Sequence, residues 1–215
     1  MGEGKAASSI PRIKMCGLFR REDILAANRM LPDYVGFVFA PKSRRYVEPR
    51  QAARLRELLN PAIKTVGVFV RAEEKEAARL TKEGVIDLIQ LHGNETEDYI
   101  RRLRMMTDRP LIKAFSMDCL GGLEEMKACT ADFLLLDSGP GGTGRRLDWE
   151  QMAEEGYGSL KKPWFLAGGL TPENVEEAIE LLRPWGVDVS SGIETEGKKD
   201  ENKMAVFTAA VRKEG

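Results

Sequence analysis

The sequence predicts a single α/β domain, a (β/α)8 TIM barrel, and two observations carry that expectation. Eight short apolar runs rich in β-branched residues alternate with longer charged segments of helical period, at residues 12–16, 34–39, 65–70, 85–91, 111–115, 132–137, 164–167 and 187–190. Their starts recur at intervals of roughly 20–30 residues, the spacing of repeated strand–helix units. Eight such units close a barrel, whereas five or six would leave an open doubly wound sheet. The length of 215 residues suits one such domain. No low-complexity linker or shift of composition divides the chain.

The elements follow in order from the pattern. Between the strands lie amphipathic stretches, among them residues 51–60, 72–83, 95–106 and 172–183. In the second of these Ala77, Ala78 and Leu80 stand among Glu73, Glu74, Lys75 and Glu76, as a helix with one buried face requires. Thr171-Pro172-Glu173-Asn174 reads as an N-cap followed by proline at the first helical position and an acid in the first turn. The eighth strand is short and partly polar. Residues 1–9 are small, charged and polar and lack the apolar core of a secretory signal, so they are expected to be a flexible leader ahead of a barrel over residues 10–215.

Composition narrows the function. The 33 basic and 34 acidic residues nearly cancel, which argues against general affinity for nucleic acid or an anionic membrane surface. No apolar run approaches the ~18 residues of a membrane span. Cys16, Cys119 and Cys129 are odd in number and unclustered, a pattern that fits a reducing cytoplasm and leaves any of them free to react. A lone histidine, His92, with no cysteine or acidic cluster to complete a site, predicts no metal. Neither a dinucleotide-binding glycine loop nor a Walker A loop stands at a strand end.

In a barrel the chemistry belongs at the C-terminal ends of the strands. Strand one finishes in Lys14-Met15-Cys16-Gly17, which puts a thiol at the mouth, and strand six finishes in Asp137. A carboxylic acid at the rim of an apolar core suits a general acid, because desolvation favours the neutral form. Lys14 lies two residues before the thiol and so on the same strand face, where it could lower the thiol's pKa. Asp188 lies within the eighth strand. Ala167-Gly168-Gly169-Leu170 follows strand seven and Ser190-Ser191-Gly192-Ile193 follows strand eight, the positions at which barrels often bind phosphate through backbone N–H groups. A third glycine run, Gly139-Pro140-Gly141-Gly142-Thr143-Gly144, follows Asp137 and is permissive enough to fold over a ligand. After strand two, Ser43-Arg44-Arg45-Tyr46 offers two guanidinium groups for a substrate carboxylate or for solvent.

These segments, taken in order, resemble the phosphoribosylanthranilate isomerases of tryptophan biosynthesis. The resemblance runs from about Arg12 to Phe207. It rests on Ile13-Lys14-Met15-Cys16-Gly17, Gly36-Phe37-Val38-Phe39 with Ser43-Arg44-Arg45-Tyr46, and Gln90-Leu91-His92-Gly93. It continues through Leu136-Asp137, the Gly141–Gly144 run with Asp148-Trp149, Leu166-Ala167-Gly168-Gly169-Leu170, and Val187-Asp188-Val189-Ser190-Ser191-Gly192-Ile193-Glu194 with Gly197-Lys198-Lys199-Asp200. The resemblance implies a cofactor-free Amadori rearrangement of a small phosphosugar substrate, with Cys16 as general base and Asp137 as general acid. It implies Arg45 as the anchor of the anthranilate carboxylate, and it places Gly168, Gly169, Ser191 and Gly192 at the phosphate. His92 and Gly142 are expected to line the substrate, and the protein to be a monomer or homodimer. One departure is visible: the family usually continues Cys-Gly-Ile-Thr, and here Leu18-Phe19-Arg20 follows Gly17, so an aromatic ring replaces a hydroxyl. Two rival expectations are the sister isomerase of histidine biosynthesis, or a dual-substrate form, in which aspartate stands where Cys16 is, and a phosphate-binding barrel without catalysis.

Overall fold

The computed structural model describes residues 10–116, 122–137 and 148–213. The expected leader over residues 1–9 lies outside the described residues, as do Cys119 and the glycine run containing Gly142.

Strands β1 (Arg12–Cys16), β2 (Tyr34–Val38), β3 (Lys64–Phe69), β4 (Leu88–Leu91), β5 (Leu111–Ser116), β6 (Phe133–Asp137), β7 (Trp164–Leu166) and β8 (Gly186–Val189) alternate with helices. The first seven helices are α1 (Arg21–Met30), α2 (Pro49–Glu57), α3 (Glu74–Lys82), α4 (Glu97–Arg104), α5 (Gly122–Ala128), α6 (Trp149–Glu154) and α7 (Val175–Leu182). A small antiparallel hairpin, β9 (Glu194–Thr195) and β10 (Lys198–Lys199), separates β8 from the last helix, α8 (Glu201–Lys213). The eight parallel strands pair in sequence order, and β8 returns to β1 to close the barrel, with Lys14 opposite Asp188.

The strands are apolar on both faces because both are covered. Outward residues such as Met15, Phe37, Leu91, Leu134, Leu166 and Val187 pack against the helix residues Ile24, Ala27, Leu80, Leu103 and Phe207. Inward residues Val66, Leu88, Ile112, Leu135 and Phe165 fill the interior. At the N-terminal end Tyr34, Phe133, Phe165 and Trp185 form an aromatic plug, with the Phe133 and Trp185 rings 5.0 Å apart and those of Phe165 and Trp185 5.1 Å apart. That end is closed by packing, and the polar inward residues gather at the other end.

Three local expectations need correction. Strand β4 begins at Leu88, not at residue 85: the Val85 and Ile86 N–H groups turn back to Leu80 O at 3.0 and 3.4 Å, closing α3 around Gly84, whose φ is +71°. Phe39 and Ala167 fall just past their strands, although each still donates to the neighbouring strand, at 2.9 and 2.7 Å. Thr171 does not cap α7 with Pro172 as its first residue. Its hydroxyl accepts from Glu173 N, Asn174 Oδ1 accepts from Thr171 N at 2.8 Å, and this turn delays the helix to Val175.

Candidate active site

Cys16 ends β1 on the same inward face as Lys14, and its thiol packs with Val38 and Val68 at the mouth. Room for it comes from across the sheet. Gly36 is its register partner, and a Cβ there would stand 2.8 Å from Cys16 Sγ and 3.1 Å from Cys16 Cα. In the sequence Gly36 is only part of a motif; its register with Cys16 is what makes room for the thiol. The Ser190 hydroxyl donates to Cys16 O at 3.0 Å, tying the end of β8 to the end of β1.

Below the thiol, the fully buried Lys14 ammonium meets Asp188 at 2.9 Å. Burial alone would lower the Lys14 pKa, but Asp188 and Cys16 outweigh it and raise it. Asp188 is therefore the counter-ion of the interior. Lys14 pulls the thiol's pKa down, as expected, but the net shift is upward. Burial pushes the Cys16 thiol up, and the opposing pull of Lys14 and Lys199 does not fully offset it. Once ionised, such a sulfur is a stronger base than an ordinary thiolate.

Asp137 ends β6 on the inward parity of Phe133 and Leu135, three strands round from β1. Its Oδ2 lies 3.2 Å from His92 Nε2. His92 follows β4, held by its backbone N–H to Phe69 O at 2.8 Å, and its Nδ1 faces Gln90 Nε2 at 2.8 Å. With Nδ1 accepting from the amide, Nε2 is the ring nitrogen that donates to Asp137. The structure thus sets His92 against the carboxyl of Asp137. Among the described residues, Asp137 Oδ2 is the oxygen in contact with His92.

Arg45 crosses the mouth beside Cys16. Gly17, at φ +76°, makes this possible, since a Cβ there would meet Arg45 Cδ at 2.3 Å. The guanidinium is held on one edge by Glu194, with Nε at 2.6 Å from Oε1 and Nη2 at 3.0 Å from Oε2. That bidentate pairing leaves the Nη1 side unclaimed by any described residue. Arg44 also reaches Glu194, at 2.9 Å, but is largely solvent-exposed. Glu194 takes a further bond from Lys199 Nζ at 2.8 Å. Burial would raise this carboxyl; Arg45 and Lys199 overcome it and bring its pKa down to about 2. Neither Glu194 nor Lys199 was singled out by sequence reasoning beyond its place in a motif. Phe19, the departure after strand one, packs its ring against the core between barrel and helices, while its backbone N–H donates to Asp23 at 3.1 Å.

Two loops sit beside these groups. Gly168 and Gly169 follow β7 with φ of +79° and +71°, and among the described residues their amide N–H groups have no acceptor. Ser191–Ile193 follows β8 as a single 3-10 turn. Gly192 lies so close to the first loop that a Cβ would fall 1.9 Å from Leu170 O. The two loops therefore pack backbone to backbone.

Comparison with known proteins finds relatives over nearly the whole chain. The profile of the family described as N-(5'-phosphoribosyl)anthranilate (PRA) isomerase matches residues 13–210. The N-(5'-phosphoribosyl)anthranilate isomerase of Thermoanaerobacter sp. (strain X514) is 45% identical over 202 residues, covering 94% of this chain and 98% of that protein. The crystal structure of phosphoribosyl anthranilate isomerase from Thermotoga maritima superposes with a TM-score of 0.85 at 35% identity, covering 94% of this chain and 99% of that one. A further isomerase structure, in complex with reduced 1-(o-carboxyphenylamino)-1-deoxyribulose 5-phosphate, gives a TM-score of 0.83 at 34% identity, with the same coverage.

Proposed function

The chain belongs to the N-(5'-phosphoribosyl)anthranilate isomerase family and carries out that isomerisation in tryptophan biosynthesis; from that premise we propose that Cys16 is its general base and Asp137 its general acid. The observation that carries this reading is the placing of one thiol and one carboxyl at the C-terminal ends of β1 and β6, both on inward faces of the same closed barrel.

In the mechanism we infer, Asp137 gives the proton on Oδ1 to the ribose ring oxygen while Oδ2 stays bonded to His92. The bond from C1 to the ring oxygen breaks, and the nitrogen lone pair forms a C1–N iminium. The Cys16 thiolate removes the C2 proton, and the C2–H electron pair forms the C1–C2 double bond as the iminium pair returns to nitrogen. The resulting enolamine gains a proton at C1 and loses its C2 hydroxyl proton, giving the aminoketose. The substrate's own nitrogen is the electron sink throughout. General acid and base each contribute about two to four orders of magnitude in such steps.

The remaining groups bind and orient. The free edge of Arg45 takes the anthranilate carboxylate, and the amides of Gly168, Gly169, Ser191 and Gly192 take the phosphate, which holds C2 at the thiol. Every one of these residues comes from one chain, so a monomer and a homodimer carry the same site. The buried free thiols Cys16 and Cys129 suit a reducing cytoplasm. Among the described residues no helix is long and apolar enough to cross a membrane.

The test is turnover of purified Cys16→Ser and Asp137→Asn, followed by anthranilate fluorescence. Each should lose about a hundredfold or more, as removal of a general base or acid does. Near wild-type turnover in either variant would remove that residue from its role.

A further inference from the structure

Gln90 contradicts its surroundings. It stands in β4 on the inward face of Leu88 and is fully buried. Its register partners are Val68 on β3 and Ile112 on β5, both buried and apolar. Its Nε2 lies 2.8 Å from His92 Nδ1, and its Oε1 has no hydrogen-bond partner among the described residues. Burying an amide carbonyl unpaired costs free energy, and a methionine of matching length would fill the same layer without that cost. The contact that Gln90 does make is with the ring that touches Asp137.

The backbone of His92 is held without Gln90. Its own N–H donates to Phe69 O at 2.8 Å. Gly93, the next residue, donates to Glu95 Oε2 at 2.8 Å and accepts from the buried Lys113 Nζ at 2.6 Å. Glu95 Oε1 also takes the Arg71 N–H, at 2.7 Å. These contacts fix where the ring begins, but not which way it turns or which nitrogen carries its proton. The position of that proton matters to the acid. A carboxylic acid holds one proton on one of two oxygens. When His92 Nε2–H donates to Oδ2, the acid proton sits on Oδ1 and remains available to the sugar. With the ring proton on Nδ1 instead, Nε2 becomes an acceptor and Asp137 turns its proton to the ring. An amide NH2 facing Nδ1 excludes that second form, because two donors cannot share one contact.

We propose that Gln90 is a positioning residue for the isomerisation: from the apolar interior its amide holds His92 in the Nε2–H form against Asp137 Oδ2, which keeps the acid proton on Oδ1, away from the ring. The proposal rests on the reading of Asp137 as the general acid. It gives a chemical reason for a buried carbonyl that the barrel would be more stable without.

His92 is the only histidine of the chain, so isotope-labelled histidine reports this ring alone. The test is the ring-nitrogen chemical shifts at neutral pH, which distinguish a protonated nitrogen from a bare one, in the wild type, Gln90→Met and Gln90→Glu. The wild type should carry the proton on Nε2 and leave Nδ1 bare. Gln90→Glu presents an acceptor to Nδ1 and should place a proton there. Gln90→Met selects neither form and should draw the two shifts together. In both variants kcat should fall by about tenfold or more, a part of what a general acid contributes. KM should change less, because the buried Gln90 does not reach the substrate. The urea midpoint of Gln90→Met should equal or exceed that of the wild type, since the unpaired carbonyl is gone. A residue that only packs would give the reverse, a lower midpoint with kcat and ring shifts unchanged. That pattern, or a wild-type ring protonated on Nδ1, overturns the proposal, and Gln90→Met decides it if the glutamate variant does not fold. If Asp137→Asn retains turnover, the acid reading fails, an outcome distinct from a ring whose tautomer Gln90 does not control.

Discussion

Replacing Glu194 with glutamine should destabilise the protein by about 3 kcal/mol at pH 7. The side chain is 4% exposed, so solvent screening does not discount its interactions strongly. Its carboxyl is held at about 2 against an ordinary 4.5. A difference of about 2.5 units corresponds to about 3 kcal/mol through linkage. Because the folded value is the lower one, this stability is fully present above pH 4.5 and is lost as the pH falls towards 2. Glutamine stands in for the neutral acid, so the two proteins should converge in acid, with about 1.5 kcal/mol of the difference left at pH 3. Urea unfolding followed by tryptophan fluorescence, at a series of pH values from 7 to 3, measures this directly. A loss below about 1 kcal/mol at pH 7, or a loss that does not shrink in acid, would refute the assignment of Glu194 as the shared counter-ion. Arg45 loses its orienting partner in the same variant, so KM should rise as well.

Three other substitutions test the packing that shapes the site. Gly36→Ala presses a methyl group onto Cys16 Sγ and Cα; turnover should fall by about tenfold or more, because misplacing a reacting group by an ångström costs up to about a hundredfold. Circular dichroism should show the variant still folded. Gly192→Ala puts a methyl group 1.9 Å from Leu170 O, so the two glycine loops must part. Inorganic phosphate, titrated as a competitive inhibitor, should bind at least about tenfold more weakly if their amides hold the substrate phosphate. Asp188→Asn leaves the Lys14 ammonium buried without its counter-charge and should cost about 3–5 kcal/mol in urea unfolding.

Much of the barrel can be read from the chain because its strands are apolar on both faces over most of their length. Against that background Lys14, Cys16, Asp137 and Asp188 stand out. The resemblance identified Arg45 over Arg44, and the structure gives the physical difference: Arg45 lies over Gly17 and makes a bidentate pair, while Arg44 remains in solvent. Strand β4 was read three residues too long because apolarity reports burial and not hydrogen bonding; Val85 and Ile86 are buried in the core yet their N–H groups complete a helix end. Proline at 172 suggested a helix start, but the Asn174 side chain closes a turn over Thr171 first. The roles of Glu194 and Lys199 were illegible for another reason. A Glu-Thr-Glu-Gly-Lys-Lys run has the composition of a solvated loop, and only the turn at Glu196 and Gly197, with φ of +51° and +75°, folds two of its charges inward.

The most direct measurement is a crystal structure of this protein with the reduced product analogue bound. C2 should lie within about 3.5 Å of Cys16 Sγ, since reacting atoms in a productive complex approach to that distance. The former ring oxygen should lie at Asp137, the carboxylate on the free edge of Arg45, and the phosphate between Gly168-Gly169 and Ser191-Gly192. Sulfur turned away from the sugar, or the sugar bound with C2 facing a different side chain, would contradict this.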